Sequence, residues 1–220
     1  MIKFPQLIKE VIELIERICT FLTNRIRKEM PDINDERAEV INYGLQLIIG
    51  EIPKFFILLT LAYILGVLKE SILLVIMMTP YRITSGGVHL HTHIGCIIAT
   101  SVFYIGNAVL SKCLVLTRTV EYIITGFVWI FSLIMIKLYA PADTEEVPIL
   151  RKKERTTKKI LSCIVMTASL IASLIIKNTV ISNLLLFGIL FQTITITRLM
   201  YKITGNKYGY EEYMKFKVTK

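Results

Sequence analysis

Tyr81-Arg-Ile-Thr-Ser-Gly-Gly-Val-His-Leu-His-Thr-His-Ile-Gly-Cys96 is a polar island in an apolar chain. It holds all three histidines (His89, His91 and His93), a cysteine seven residues beyond the first, and two glycine breaks. Long apolar runs flank it on both sides. Reactive side chains set between lipid-seeking segments are where chemistry is expected. The fold therefore turns on whether the flanks are membrane spans.

Composition says that they are. The 220 residues are 54% hydrophobic and only 20% charged, with a mean hydropathy of +0.60, too apolar for a soluble domain of this length. The formal charge of +9 does not point to nucleic acid, because the basic residues sit beside the apolar runs, as a topology signal does. Cys19, Cys96, Cys113 and Cys163 are spread singly with no CxxC pair, which argues against a zinc ribbon or a dithiol redox motif. Met1-Ile-Lys-Phe-Pro5 opens into no small-residue cleavage site, so no cleaved leader is expected.

Outward from the island toward the N-terminus, the run Ser71 to Pro80 is about half of the ~20 residues that a crossing needs. It reads as a short or distorted span kinked at Pro80. Before it, Lys69-Glu70 marks a tight return, and Pro53 to Leu68 is a first crossing. Residues 6–29 alternate apolar and charged positions at helical spacing, and a second helix capped by Asp32 or Asn34 is expected to run through Ile49. These are too polar to span and read as amphipathic helices on the cytoplasmic face. Toward the C-terminus, helices are expected near Ile94–Ser111, Tyr122–Tyr139, Ile160–Ile176 and Val180–Met200, with Asn183 and Gln192 placed to bond across helices.

The expected fold class is thus all-α: a polytopic membrane protein of about six transmembrane helices preceded by amphipathic N-terminal helices. It forms a single membrane domain over 1–220. Residues 1–51 lie on the face, 52–200 carry the spans with the reactive stretch at 81–96, and 201–220 form a basic tail. With six crossings, one face holds only Lys69, Lys112, Arg118 and Lys177, while the remaining loops and both termini are rich in lysine and arginine. The positive-inside rule then places both termini and the 81–96 stretch in the cytoplasm, where Cys96 stays a free thiol.

His89 and Cys96 suggest a nucleophile and its base, since an imidazole can take the thiol proton or hold the thiolate as an ion pair. On one continuous helix, residues seven apart lie about 10 Å apart along the axis and cannot touch. A turn must intervene. Gly86-Gly87 and Gly95 permit one, and Thr92 is placed to cap the next helix with Cys96 in its first turn, where backbone N–H groups favour a thiolate and can face an oxyanion. A second reading stays open. His89, His91, His93 and Cys96 can ligate zinc or another borderline metal, in a membrane metal-binding or transport protein.

The residue pattern resembles a family. His89-x6-Cys96, with Arg82 before it and Gly87 two residues ahead of the histidine, followed by Tyr139-Ala-Pro-Ala142 and Pro148-Ile149 with a basic run, is similar to the AgrB family of bacterial membrane cysteine peptidases. The resemblance implies a catalytic pair, Cys96 as nucleophile and His89 as acid/base, with Arg82 and Gly87 at matching family positions; Ser85, Gly86 and Asp143 are further candidates for binding substrate or supporting the site. It implies no metal and no cofactor. It further implies a multi-pass protein of the bacterial cell membrane, a homodimer, meeting a membrane lipid surface and an AgrD-type precursor peptide. The precursor would be cut at its C-terminal part through a thioester and cyclised to a thiolactone or lactone for quorum sensing. The acidic Asp143-Thr-Glu-Glu146 departs from the basic loop of some relatives.

Overall fold

The computed structural model describes residues 4–90, 92–145 and 147–218. Its chain divides into two compact units, Met1–Leu58 and Leu59–Lys220. The protein is an all-α membrane protein, and among the described residues the only extended pairings are isolated bridges.

In the first unit, α1 (Phe4–Glu29) ends in Arg27 and Lys28, cations suited to the negative end of the helix dipole. It leaves Leu14, Ile18 and Phe21 exposed at helical spacing. Asn34 caps α2 (Asp35–Ile64), its Oδ1 accepting from the Arg37 N–H at 2.9 Å. Contrary to the expected break after Ile49, α2 runs on through Pro53 for 30 residues. A single proline removes one ladder bond, and even with Gly50 close before it the helix does not stop.

The second unit takes over within α2, which ends at Gly66. That residue has φ +67°, and the Val67 N–H reaches the Ala62 carbonyl at 2.9 Å, a left-handed helix stop. The return is therefore at Gly66, and Lys69 and Glu70 fall inside α3 (Leu68–Ser85). The buried face of α3, Ser71, Leu74, Met78, Tyr81 and Ser85, follows the three-and-four spacing of one helical stripe. α4 (His93–Ser101), a π-helical turn at Val102–Gly106 and α5 (Asn107–Cys113) make the next rod.

α6 (Arg118–Tyr139) and α7 (Lys152–Ile175) follow. α7 starts well before the expected Ile160 because the basic run is built of good helix formers, so Lys152–Lys159 is helix and not loop. α8 (Thr179–Thr195) is capped by the Asn178 side chain and packs against α3, α5, α6 and α7, with nearly every side chain from Ser182 to Ile189 buried. A Cβ at Gly188 would meet the Met78 sulfur at 2.7 Å, so α3 and α8 cross at that glycine. Asn183 and Gln192 both bond across helices, Asn183 Nδ2 to the Leu114 carbonyl at 2.7 Å and Gln192 to α3.

The expected single helix Val180–Met200 is broken. α9 (Arg198–Thr204) leaves α8 at 67°, because Thr197 caps a new helix with its own hydroxyl. α10 (Gly209–Val218) closes the chain. Among the described residues four rods can cross a membrane by length and composition: α2, Gly95–Cys113, α6 and α7. The α8–α9 pair makes a fifth if it counts as one span. α3 runs as one 18-residue helix through Pro80, the expected site of a kink, and carries the charges Lys69, Glu70 and Arg82.

Candidate active site

The 81–96 stretch carries the helix break that a His89–Cys96 pairing requires. α3 stops at Ser85, residues 86–90 run without helix, and α4 starts at His93. Thr92 caps α4, its Oγ1 accepting the Gly95 N–H at 3.1 Å. Cys96, half-buried, sits in the first turn with its own N–H on the Thr92 carbonyl at 2.9 Å. His89 is an exposed residue of the connecting segment. His91 and the side chain of His93 lie outside the described residues, and with them half of the alternative metal set. No cluster of three metal-ligating side chains occurs among the described ones.

The residues expected to support the site hold backbone. Arg82 spreads its guanidinium over the segment, with Nη2 donating to the Val88 carbonyl at 2.6 Å and Nη1 to Thr195 Oγ1 at 3.0 Å and, at the limit of range, to the Gly86 carbonyl at 3.5 Å. A planar fork serves several acceptors in a fixed geometry, which a point-like ammonium does not provide. Ser85 is buried; its hydroxyl and the Gly86 carbonyl both accept from Gln192 Nε2, at 3.0 and 2.8 Å. The 140s loop docks on the other side, where the Gly87 N–H donates to the Ala142 carbonyl at 2.9 Å and the Ala142 N–H to the Ser85 carbonyl at 2.8 Å.

Both glycines are required by this contact. Gly86 has φ +72° and Gly87 φ +136°, conformations disfavoured for L side chains. A Cβ on Gly86 would overlap the Ala142 carbonyl oxygen, and one on Gly87 would overlap Arg82 Nη1 and lie 2.6 Å from Thr195 Oγ1. Beneath them Tyr81, Thr193 and Ser132 form a buried hydroxyl chain with 2.9 Å links, joining α3, α8 and α6.

Asp143 turns inward. Its Oδ2 accepts from Arg155 Nη1 at 3.0 Å, the Ile149 N–H at 2.9 Å and the Tyr210 N–H at 3.0 Å, and the Tyr201 hydroxyl donates to its backbone carbonyl at 3.1 Å. It is the hub that fastens the 140s loop to α7 and the C-terminal segment. Tyr208, stacked on Tyr201 at 4.0 Å between ring centroids, donates to the Ile196 carbonyl at 2.8 Å, and burial pushes its phenol well above the usual tyrosine range. A cavity of about 210 Å³ opens nearby, lined by Tyr139, Arg155, Lys159 and Tyr208, and neither His89 nor Cys96 lines it.

Thr195 and Asn206, whose Nδ2 donates to the His89 carbonyl at 2.6 Å, escape sequence reasoning. Each meets a main-chain group or a side chain far along the chain, and no spacing encodes that. Gln192 is visible only as a polar residue in an apolar helix.

Fold and site define a class: an α-helical membrane protein that holds a histidine-bearing segment and a helix-capped cysteine at one end of its bundle. The chain belongs to the accessory gene regulator B (AgrB) family, whose model matches residues 19–196. It is 27% identical to an AgrB-like protein of Listeria monocytogenes over 92% of this chain and 96% of that one, and 27% identical to an AgrB-like protein of Clostridium acetobutylicum over 94% and 95%. It is 29% identical to the accessory gene regulator protein B of Staphylococcus epidermidis over 80% and 79%. No solved structure matches it. The family is membrane-associated and takes part in peptide processing with an AgrD-type precursor in the agr quorum-sensing system.

Proposed function

We propose that the protein is a membrane cysteine endopeptidase that cuts an AgrD-type precursor and promotes its cyclisation. The observation that carries the reading is the break between α3 and α4, which sets His89 on a backbone-held segment and Cys96 in the first turn of a capped helix. In the reaction, His89 takes the Cys96 thiol proton and the sulfur attacks the scissile carbonyl. The peptide C–N bond breaks, the C-terminal part leaves as an amine protonated by His89, and the N-terminal part stays as a thioester. An internal thiol or hydroxyl of the precursor, giving its proton to His89, then attacks the thioester carbonyl. Cys96 is released and the ring closes as a thiolactone or lactone. Partial exclusion of water favours this transfer over hydrolysis.

Arg82, Ser85, Gly86, Gly87 and Asp143 support the pair by fixing the 85–89 and 140–149 backbones. In this reading the protein is a homodimer of the bacterial cell membrane, with both termini and the site on the cytoplasmic side and its amphipathic precursor lying on the lipid surface. The distribution of lysine and arginine supports that orientation.

The test is a reaction of the full-length protein, reconstituted in vesicles, with its precursor, read by mass spectrometry. Cys96→Ser and His89→Ala are each expected to abolish product. Wild-type protein quenched at short times should carry the precursor's N-terminal part on Cys96. Activity surviving Cys96→Ser, or a predominantly linear acid as product, refutes the reading.

A further inference from the structure

The family match ends at residue 196, yet the chain beyond it reaches back into the site. α9 ends at Gly205 in the left-handed region, φ 72° and ψ 10°, and the Asn206 N–H closes on the Tyr201 carbonyl at 2.9 Å. These are the two outer positions of a glycine helix stop. That stop fixes where the Asn206 side chain stands. Its amide nitrogen donates to the His89 carbonyl at 2.6 Å and is also within reach of Thr204 Oγ1 at 2.8 Å.

The neighbouring attachments give this bond its meaning. The Val88 N–H donates to the Thr195 carbonyl at 3.2 Å, and the Val88 carbonyl accepts from Arg82. Every attachment up to Val88 thus comes from α3, the 140s loop or the last turn of α8. The bond at His89 comes from across the 67° bend, at the far end of α9. The bent pair is a cradle. α8 holds Gly86 and Val88, and the end of α9 holds the backbone of the histidine itself.

We propose that Asn206 is a positioning residue of the active site, setting the backbone at His89 and through it the imidazole that serves Cys96. The assignment rests on the His89–Cys96 reading. An error of about 1 Å at an acid/base group costs up to about a hundredfold in rate. Replacing half-buried Asn206, whose amide bonds the His89 carbonyl and its own neighbour Thr204, by a side chain of like size leaves global stability nearly unchanged. The role is therefore separable from a merely structural one.

The experiment uses the full-length protein in phosphatidylcholine/phosphatidylglycerol vesicles and iodoacetamide as the probe, with mass spectrometry comparing alkylation of Cys96 with that of exposed Cys113 in the same molecule. Asn206→Leu, which lacks the donor, and Asn206→Asp, which replaces it by an acceptor, are each expected to slow Cys96 about tenfold with Cys113 unchanged. Asn206→Gln, which keeps the amide, should recover part of the loss. In a His89→Ala background, Asn206→Leu should slow Cys96 no further, because a residue that acts through the imidazole has nothing left to act on.

Cys96 reacting at the wild-type rate in both donor-less variants overturns the proposal. So does an equal slowing with and without His89, which would mark a general loosening. His89→Ala with no effect on Cys96 would instead overturn the dyad and take the Asn206 assignment with it, so the two failures are told apart.

Discussion

Replacing Arg82 by lysine keeps a cation at the end of α3 and removes the fork. Of the three acceptors the guanidinium reaches, the Val88 carbonyl at 2.6 Å and Thr195 Oγ1 at 3.0 Å are good bonds, and the Gly86 carbonyl at 3.5 Å is marginal. A lysine ammonium can satisfy one of the two good acceptors and forfeits the other. A hydrogen bond to a charged group contributes about 1.5–3 kcal/mol, so the clamped segment should lose on the order of 10- to 100-fold in its population relative to displaced ones. The fold should not follow, because Gln192, Ala142 and the Thr195 carbonyl still hold residues 85–88. We expect the single-turnover rate of precursor cleavage in vesicles to fall at least tenfold for Arg82→Lys, with KM and the melting temperature nearly unchanged. A rate within twofold of wild type would refute the clamp. A rise in KM alone would show that Arg82 grips the substrate instead of the segment.

Gly87→Ala should fail more completely than Arg82→Lys, because the new Cβ meets both Arg82 and Thr195 at a φ of +136°. Strain of about 1–3 kcal/mol adds to the displaced guanidinium, and cleavage should drop at least a hundredfold by the same single-turnover assay. Asp143→Ala leaves Arg155 without its carboxylate and two main-chain N–H groups without their acceptor. Removing one partner of a largely buried pair costs about 3 kcal/mol or more, so a lower melting temperature and faster proteolysis of the segment after Met200 are expected.

The features legible in the sequence are those with local causes. Thr92 three residues before Gly95 is a cap that can be read from the chain, as is Asn34, and the polar island stands out because all the histidines fall in it. Pro53 misleads, since one proline in a long apolar run does not stop a helix. The bend after α8 has neither glycine nor proline to announce it. Thr195-Ile-Thr197 reads as more helix until the Thr197 hydroxyl is seen to cap α9. The basic run before Ile160 reads as a loop because charge suggests solvent, although lysine, arginine and glutamate are good helix formers. The attachments of the 85–89 segment are non-local, as with Gln192 to Ser85, Thr195 to Val88 and Asn206 to His89. A side chain that recognises a peptide group leaves no mark in its partner's identity.

The saturation of that segment limits how a peptide can meet it. The N–H groups of Gly87 and Val88 and the carbonyls of Gly86, Val88 and His89 are each engaged by the protein. Recognition by strand addition needs a row of open donors and acceptors along one edge, and residues 86–89 offer no such row. A precursor docking beside His89 must therefore be sorted by its side chains and by the depth at which it floats. Changes in its residues should matter even where its main chain keeps the same path.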